Sequence, residues 1–315
     1  MFDLVVIGHI LKERIIFPDG REIGPLLGSP AAYGAVAAAR LGLKTGIVTK
    51  VGKDMPEELI EILRQAGVDT RGMRTGEKTT SNLLIYDKAG QKRLEFLSKA
   101  EDILPEDVPA EYLQAKCFLV APIDYEVGEA LLKYLWEHKK MLSAELSGFG
   151  GASSSRQDGK STSEKTEYLR KIMPYFRIVK AGSEDCKCLF GGLVDERVIV
   201  RQFLDWGAET AVITRGKKGA LLVSGDASGS RTTIAAPACR VKAVDCTGAG
   251  DVWHSAFLYE YLKNNDPARA AKFANAFSSI LIEKSGGVNV ERFPDADETY
   301  RRVGLKDCIT NSKSL

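Results

Sequence analysis

Ala243-Val244-Asp245-Cys246-Thr247-Gly248-Ala249-Gly250-Asp251 puts an acidic residue directly after a small-residue turn, at the head of an apolar helix running from Val252 to Leu262. Gly248, Ala249 and Gly250 let backbone N–H groups converge where larger side chains would stand in the way. A helix N-terminus adds partial positive charge, so the turn is built to receive an anion, phosphate above all. Asp251 is out of place in a pure phosphate cradle, because a carboxylate repels a phosphate. It makes sense where the carboxylate takes the proton of a hydroxyl while the N–H groups hold a phosphoryl group in transfer. The competing reading is an ordinary helix start with an acid in its first turn.

The 315 residues suffice for one large α/β domain or two ordinary ones. At 44% apolar and 27% charged residues the chain can build a core. Its net charge of +2, from 44 basic and 42 acidic residues with no basic block, argues against nucleic acid or a membrane surface as the main partner. Apolar runs such as Phe118-Leu119-Val120-Ala121 are too short to span a bilayer. The N-terminus goes straight into a strand, Leu4-Val5-Val6-Ile7, without a signal peptide ahead of it, and the expected location is the cytoplasm. Cysteines at 117, 186, 188, 239, 246 and 308 offer one C-x-C pair and no nearby His, so free thiols are expected rather than zinc.

Outward from the turn, strand-like and helix-like stretches alternate. Strands are expected at Leu4–Gly8, Thr45–Lys50, Cys117–Ala121, Met141–Glu145, Ile178–Lys180, Thr210–Thr214 and Ala220–Ser224. Helices are expected at Ala31–Leu41, Pro56–Ala66, Val127–His138, Glu164–Met173, Val198–Trp206, Asp251–Lys263 and Pro267–Glu283. Short apolar, β-branched runs between helices predict an α/β fold with a mainly parallel sheet covered on both faces. Two hairpins interrupt the alternation: Arg14–Ile23 turning at Asp19-Gly20, and Ser81–Leu97 turning near Lys88-Ala89-Gly90. They predict a small separate β layer at about residues 14–27 and 80–98. Leu83-Leu84-Ile85-Tyr86 offers apolar groups on both faces of its strand, for packing on the parent domain or for covering a ligand on one side and a second copy on the other. Gly148–Lys165 is low in complexity and reads as a mobile, solvated loop with ligand contact at its beginning. A dinucleotide oxidoreductase is disfavoured, because the glycine-rich turn lies far from the first strand.

Asp245-Cys246-Thr247-Gly248-Ala249-Gly250-Asp251 resembles the D-T-x-G-A-G-D element of the ribokinase-like (PfkB-type) sugar kinases, with Cys246 in place of the usual Thr. Supporting pieces follow in the family's order from Gly8 to about Gly287. The resemblance implies one ribokinase-like kinase domain over residues 1–315, with ATP and Mg2+ as cofactors. Asp251 would be the catalytic base, and the N–H groups of Gly248, Ala249, Gly250 and Asp251 the anion hole. The β layer would be a lid over the acceptor and the interface of a homodimer.

The other pieces are less uniform. Glu13 stands five residues after Gly8, where such sugar kinases commonly carry an Asp paired to acceptor hydroxyls; alone it would read as a surface acid, and His9 as structural. Gly28-Ser29-Pro30-Ala31-Ala32-Tyr33 resembles the Gly-Gly turn that opens an Ala-rich helix, but Ser29 replaces the second Gly and Tyr33 the usual sugar-contacting Asn. Tyr33, Gly8-His9 and Gly148-Phe149 after Glu145 are similar to the archaeal inositol-kinase branch. Gly28, Tyr33 and Glu145 join Glu13 as expected substrate contacts. Lys180-Ala181-Gly182-Ser183-Glu184-Asp185 falls where the family has N-x-x-E; Lys180 is placed with the nucleotide, and Asp185 with Mg2+ through water, an acidic helix start being the alternative. Thr214-Arg215-Gly216-Lys217-Lys218-Gly219 resembles the T-x-G-x-x-G nucleotide turn, with Asn275 and Gly286 bordering the base. Asp245 and Thr247 match the ligands of the K+ that some members require. The acceptor is expected to be a small neutral sugar or polyol, a cyclitol included. The alternatives are a nucleoside, on whose base Tyr33 would stack, or a nucleotide-binding regulatory protein without turnover.

Overall fold

The computed structural model describes residues 1–88, 92–154, 159–192, 195–226 and 228–304. A nine-stranded sheet has the order β13-β12-β11-β10-β9-β8-β1-β4-β5. These strands are β1 (Leu4–Ile7), β4 (Thr45–Gly52), β5 (Asp69–Gly76), β8 (Cys117–Val120), β9 (Met141–Glu145), β10 (Ile178–Gly182), β11 (Thr210–Thr214), β12 (Ala220–Gly225) and β13 (Arg231–Ala236). All neighbours pair in parallel from β5 across to β11; β12 and β13 add an antiparallel edge. A four-stranded sheet holds β2 (Leu11–Ile16), β3 (Glu22–Gly28), β6 (Ser81–Tyr86) and β7 (Lys92–Ser98) in the order β3-β2-β6-β7. Both expected hairpins are there, joined through β2 and β6, which run parallel. Residues 89–91 of the second turn lie outside the described residues.

The large sheet is buried on both faces because its strands carry apolar groups on both. In β1, Leu4 and Val6 belong to one core, and Val5 and Ile7 to the other. The first core packs under α1 (Pro30–Arg40), α2 (Glu57–Gln65), α7 (Ala249–Asn264) and α8 (Pro267–Leu281). The second packs under α3 (Glu129–Glu137), α4 (Thr162–Ile172), α5 (Ser183–Phe190) and α6 (Glu196–Asp205). Helix α7 is buried from Val252 through Tyr261, so nearly its whole circumference is core. Its neighbour α1 comes close because its facing residues are small: a Cβ on Gly34 would sit 3.1 Å from Ser255 Oγ.

Four elements escaped the sequence pattern. β5 and β13 are edge strands with polar outer faces, α5 is short, and α9 (Ala296–Val303) is strongly charged with Thr299 as its buried residue. The loop expected to be mobile departs from that expectation in its first part. Phe149 and Ser154 are fully buried, and the Gly150 N–H donates to Ser154 Oγ at 2.8 Å. Gly150 and Gly151 allow the tight fold that puts the Phe149 ring in the core; residues 155–158 lie outside the described residues. Cys117, Cys186, Cys188 and Cys246 are free thiols as expected, whereas Cys239 is disulfide-bonded.

Ser29, at the Gly-to-Ser departure, keeps a glycine-like backbone with φ of 118°. Its hydroxyl offsets part of that strain by capping α1, accepting from the Ala32 N–H at 3.0 Å. Ser29→Ala should lose the cap and keep the strain, lowering stability by about 1 kcal/mol. Ser29→Gly also loses the cap but relieves the strain, and should be at least as stable as wild type in urea unfolding. A glycine variant less stable than the alanine one would show that the backbone here carries no strain.

Candidate active site

The parallel strands end on one edge, and their last residues converge there: Glu145 from β9, Lys180 and Gly182 from β10, and Thr214 from β11. Register does the first part of the work. Lys180 lies directly beside Glu145 across the β9–β10 pair, and its ammonium donates to Glu145 Oε2 at 2.8 Å with both side chains almost wholly buried. Burial alone would push the Glu145 carboxyl up, but Lys180 and His254 outweigh it and hold the group below its usual range. Burial would likewise pull Lys180 down, yet Glu145, Asp251 and Asp185 together raise it. Stability from the lowered carboxyl is lost only as pH falls through its depressed folded value. That from the raised ammonium is lost only as pH rises through its elevated one. The pair therefore stays ionised throughout the neutral range. His254, held at 2.7 Å by Ser143 Oγ, is pulled down by burial and is neutral there.

Helix α7 brings the turn to this pair. Its N-cap, Gly248, takes the left-handed conformation, with φ of 76°. A Cβ there would strike the Tyr33 ring at 2.3 Å, so glycine is required both by the backbone and by the ring. A Cβ on Gly250 would lie 3.0 Å from Lys180 Nζ, which sets the buried ammonium against the opening of α7. The first N–H groups of a helix have no acceptor within it and face outward. One expected donor is spent inside the turn: the Ala249 N–H donates to the Cys246 carbonyl at 3.2 Å.

Tyr33 does not present its flat face as expected. The ring is 4% exposed, packed on Gly248 and stacked on Phe293 with centroids 6.0 Å apart. Burial, followed by the charges of Asp251, Glu13 and Asp245, raises its phenol well above the ordinary value, so the hydroxyl is a protonated donor. The charges of Asp251 and Glu13 thus both act on this hydroxyl. Gly28 lies beside Glu13, where a Cβ would sit 3.7 Å from Oε2. Across β2–β6 from Glu13 stands Asn82, a buried amide whose Oδ1 has no hydrogen-bond partner in the structure. Sequence reasoning missed Asn82; its signal was a polar residue at the start of an otherwise apolar strand.

Glu145 is placed differently from the expectation. It is 1% exposed and bonded to Lys180, so it supports the site from below rather than lining it. Asp185 is also a fastener: Oδ1 accepts from the Ala152 N–H at 2.8 Å and Oδ2 from the Gly182 N–H at 2.6 Å. A carboxylate keeps further lone pairs after two such bonds, enough for water-mediated contact with a cation but not for caging one. Among the described residues there is no group of three or more His, Cys, Asp or Glu that could hold a metal ion. That donor set suits Mg2+ only in the form it takes with phosphates, keeping most of its waters and one or two carboxylates.

On the other side of α7 a cavity of about 280 Å³ is lined by Thr214, Gly216, Gly219 and Asn275, all four expected, and by Trp253, which was not. Its walls are largely apolar, as a flat heterocycle requires, and Gly250 joins it to Lys180. Asn275 contributes only surface. Its Oδ1 accepts from Trp253 Nε1 at 2.8 Å, and its amide nitrogen donates to the Ala236 and Pro237 carbonyls at 3.0 and 2.8 Å. Gly286, expected to border the base, does not line this cavity; its N–H donates to Asp245 Oδ2 at 3.3 Å.

Residues 2–292 match the model of the pfkB family carbohydrate kinases. The chain belongs to that family. It is therefore a kinase with an alcohol group as acceptor, consistent with the anion turn and the adjoining Asp251. It is 32% identical over 294 residues to a cytidine kinase of Thermococcus kodakarensis, covering 91% of this chain and 98% of that protein. It is 28% identical over 325 residues to a deoxyribokinase of Salmonella typhimurium, covering 97% and 100%. Its fold matches that of a putative ribokinase II from E. coli in complex with ATP and Mg2+, with a TM-score of 0.74 at 20% identity over 96% of this chain and 99% of that one.

Lys180→Met should leave the Glu145 carboxylate buried and unpaired, costing roughly 3–5 kcal/mol in urea unfolding and abolishing turnover. Adding Glu145→Gln should restore most of the stability and none of the turnover. A double variant that regains wild-type rates would show that Lys180 serves the fold alone.

Proposed function

We propose that the enzyme transfers the γ-phosphoryl group of ATP to a hydroxyl of a small neutral polyhydroxylated acceptor, a sugar or polyol. The observation that carries this reading is the approach of Lys180 to Gly250, directly beside Asp251. A buried cation and outward N–H groups meet where a phosphoryl group would pass, with one carboxylate next to them. Glu13 and Asn82 hold the acceptor's hydroxyls, and the Tyr33 hydroxyl donates to it. Asp251 takes the proton of the attacking hydroxyl. Lys180 and the N–H groups of Gly250 and Asp251 hold the charge that builds on the phosphoryl oxygens. Mg2+, when bound with the nucleotide, neutralises phosphate charge, and Asp185 would reach it through water.

Neutrality of the acceptor is supported by the cations around Glu13. Lys12 is paired with Asp54 at 2.7 Å and Arg14 with Glu22 at 3.0 Å, so neither is left to meet an anionic substrate. A nucleoside acceptor is the second reading, favoured by the identity with a cytidine kinase. Stacking of its base on Tyr33 no longer supports it, since Gly248 and Phe293 occupy that ring.

The proposal extends to organisation. Residues 1–315 would form a single kinase domain, with segments 14–27 and 80–98 as its lid and a homodimer formed through the lid's outer face. Ile23 and Leu97, 38% and 50% exposed, supply apolar surface there. No helix among the described residues is long and apolar enough to cross a membrane, and the proposed location is the cytoplasm. Sedimentation velocity tests the dimer, and a monomer at micromolar concentration overturns it.

A coupled ADP-release assay across sugars, polyols, nucleosides, sugar acids and sugar phosphates tests the substrate class. The highest kcat/KM is expected for a neutral acceptor. A sugar acid or phosphate ahead of every neutral compound would refute the pocket reading. On the true acceptor, Asp251→Asn should lower kcat by about two to four orders of magnitude with nucleotide affinity little changed. A fall of less than about tenfold would assign the proton to another group.

A further inference from the structure

Among the described residues Arg292 is the most thoroughly buried arginine or lysine outside the reaction centre, 2% exposed. Its guanidinium serves no carboxylate by a fork; it is spread over backbone carbonyls. Nη2 donates to the Asp245 carbonyl at 2.7 Å and lies 3.4 Å from Asp245 Oδ2. Nη1 donates to the Gly287 carbonyl at 3.2 Å, and Nε to those of Lys284 and Leu281 at 3.1 and 3.4 Å. These acceptors come from three places: the end of α8, the turn that follows it, and the segment entering the Gly248–Asp251 turn. Converging carbonyls from separate segments beside one carboxylate are the donor set of a weakly hydrated cation. Here that cation is covalent. Each oxygen of Asp245 already accepts a hydrogen bond, Oδ1 from the Thr247 N–H at 2.9 Å, Oδ2 from the Gly286 N–H and the carbonyl from Arg292, and a second cation there would lie against the Arg292 guanidinium, 3.4 Å from Oδ2. The residues therefore do not fit the K+ site expected at Asp245 and Thr247.

We infer that Arg292 is a built-in substitute for a monovalent cation: a positioning residue that fixes the backbone leading into the phosphate turn and makes phosphoryl transfer independent of K+. The inference rests on the kinase reading of that turn, but its structural half does not need turnover. Fixing residue 245 fixes the entry to Gly248, whose left-handed backbone and contact with Tyr33 tolerate little displacement. The Arg292 charge also acts on Tyr33 directly, opposing the effect of the nearby carboxylates.

The test uses the full chain. Wild-type kcat, with K+ replaced by choline at equal ionic strength, should change by less than about twofold. Arg292→Ala should lower kcat by about 100-fold or more with a much smaller change in KM, and K+ or guanidinium, but not choline, should restore at least part of it. Hydrogen exchange at the amides of residues 244–250, measured without substrates, should accelerate in the variant and slow again with K+ or guanidinium. Activation of the wild type by K+ of more than about tenfold would overturn the inference by demanding a separate ion. So would a variant with wild-type turnover and exchange, or one rescued by choline equally well. If the variant does not fold, the wild-type comparison decides alone. If no acceptor is phosphorylated, the kinase reading fails, while exchange and melting of both proteins with and without K+ still decide whether Arg292 replaces an ion.

Discussion

The buried contact between Lys180 and Glu145 is the constraint around which the site is arranged. An ammonium in the interior is tolerated only with a close counter-charge, because desolvation costs several kcal/mol per ion. Parallel pairing of β9 and β10 supplies that partner by register, on the same face of the sheet at 2.8 Å. Once neutralised from below, the ammonium can be aimed at Gly250, where in the proposed reaction the phosphoryl group would complete its surroundings. Glu145 thereby sets the position and charge of Lys180.

Helix α7 depends on the same economy of space. Its opening is pressed between Lys180 and the Tyr33 ring: the ring requires that Gly248 carry no Cβ, and a Cβ on Gly250 would crowd the ammonium at 3.0 Å. Tyr33 in turn is held by Phe293, and Phe293 follows Arg292, which ties the chain to the Asp245 carbonyl. The turn is thus braced on three sides by side chains whose own positions are fixed by burial. Catalytic groups gain their effect from being held in place before reaction, since little reorganisation is then needed in the transition state.

The small sheet meets the large one through buried polar contacts as well as through Leu27 of β3, which joins the core under α1. His9, at the end of β1, bonds Thr80 Oγ1 at 2.9 Å and the Glu101 carbonyl at 3.0 Å, while its own N–H goes to Glu126. These bonds tie together the segments that flank β2, β6 and β7, and β2 and β6 carry Glu13 and Asn82 side by side.

Much of this was legible in the sequence. The alternation of β-branched runs and helices dictates a parallel sheet, since strands apolar on both faces must be covered on both. The glycines beside Asp251 dictate a helix start with close backbone approach, and the DG turn a hairpin. What the sequence could not decide is which charges meet. Lys180 read as a nucleotide contact and Glu145 as a substrate contact, because 35 residues separate them and only sheet register makes them neighbours. Tyr33 read as a free aromatic face until Gly248, 215 residues onward, was packed on it. Arg292 gave no signal at all: 47 residues separate it from Asp245, and its carbonyl partners are backbone atoms that every residue type possesses. Local pattern fixes secondary structure because its interactions lie within a few residues. The site's electrostatics come from long-range contacts between buried groups, and only the packed tertiary structure determines those.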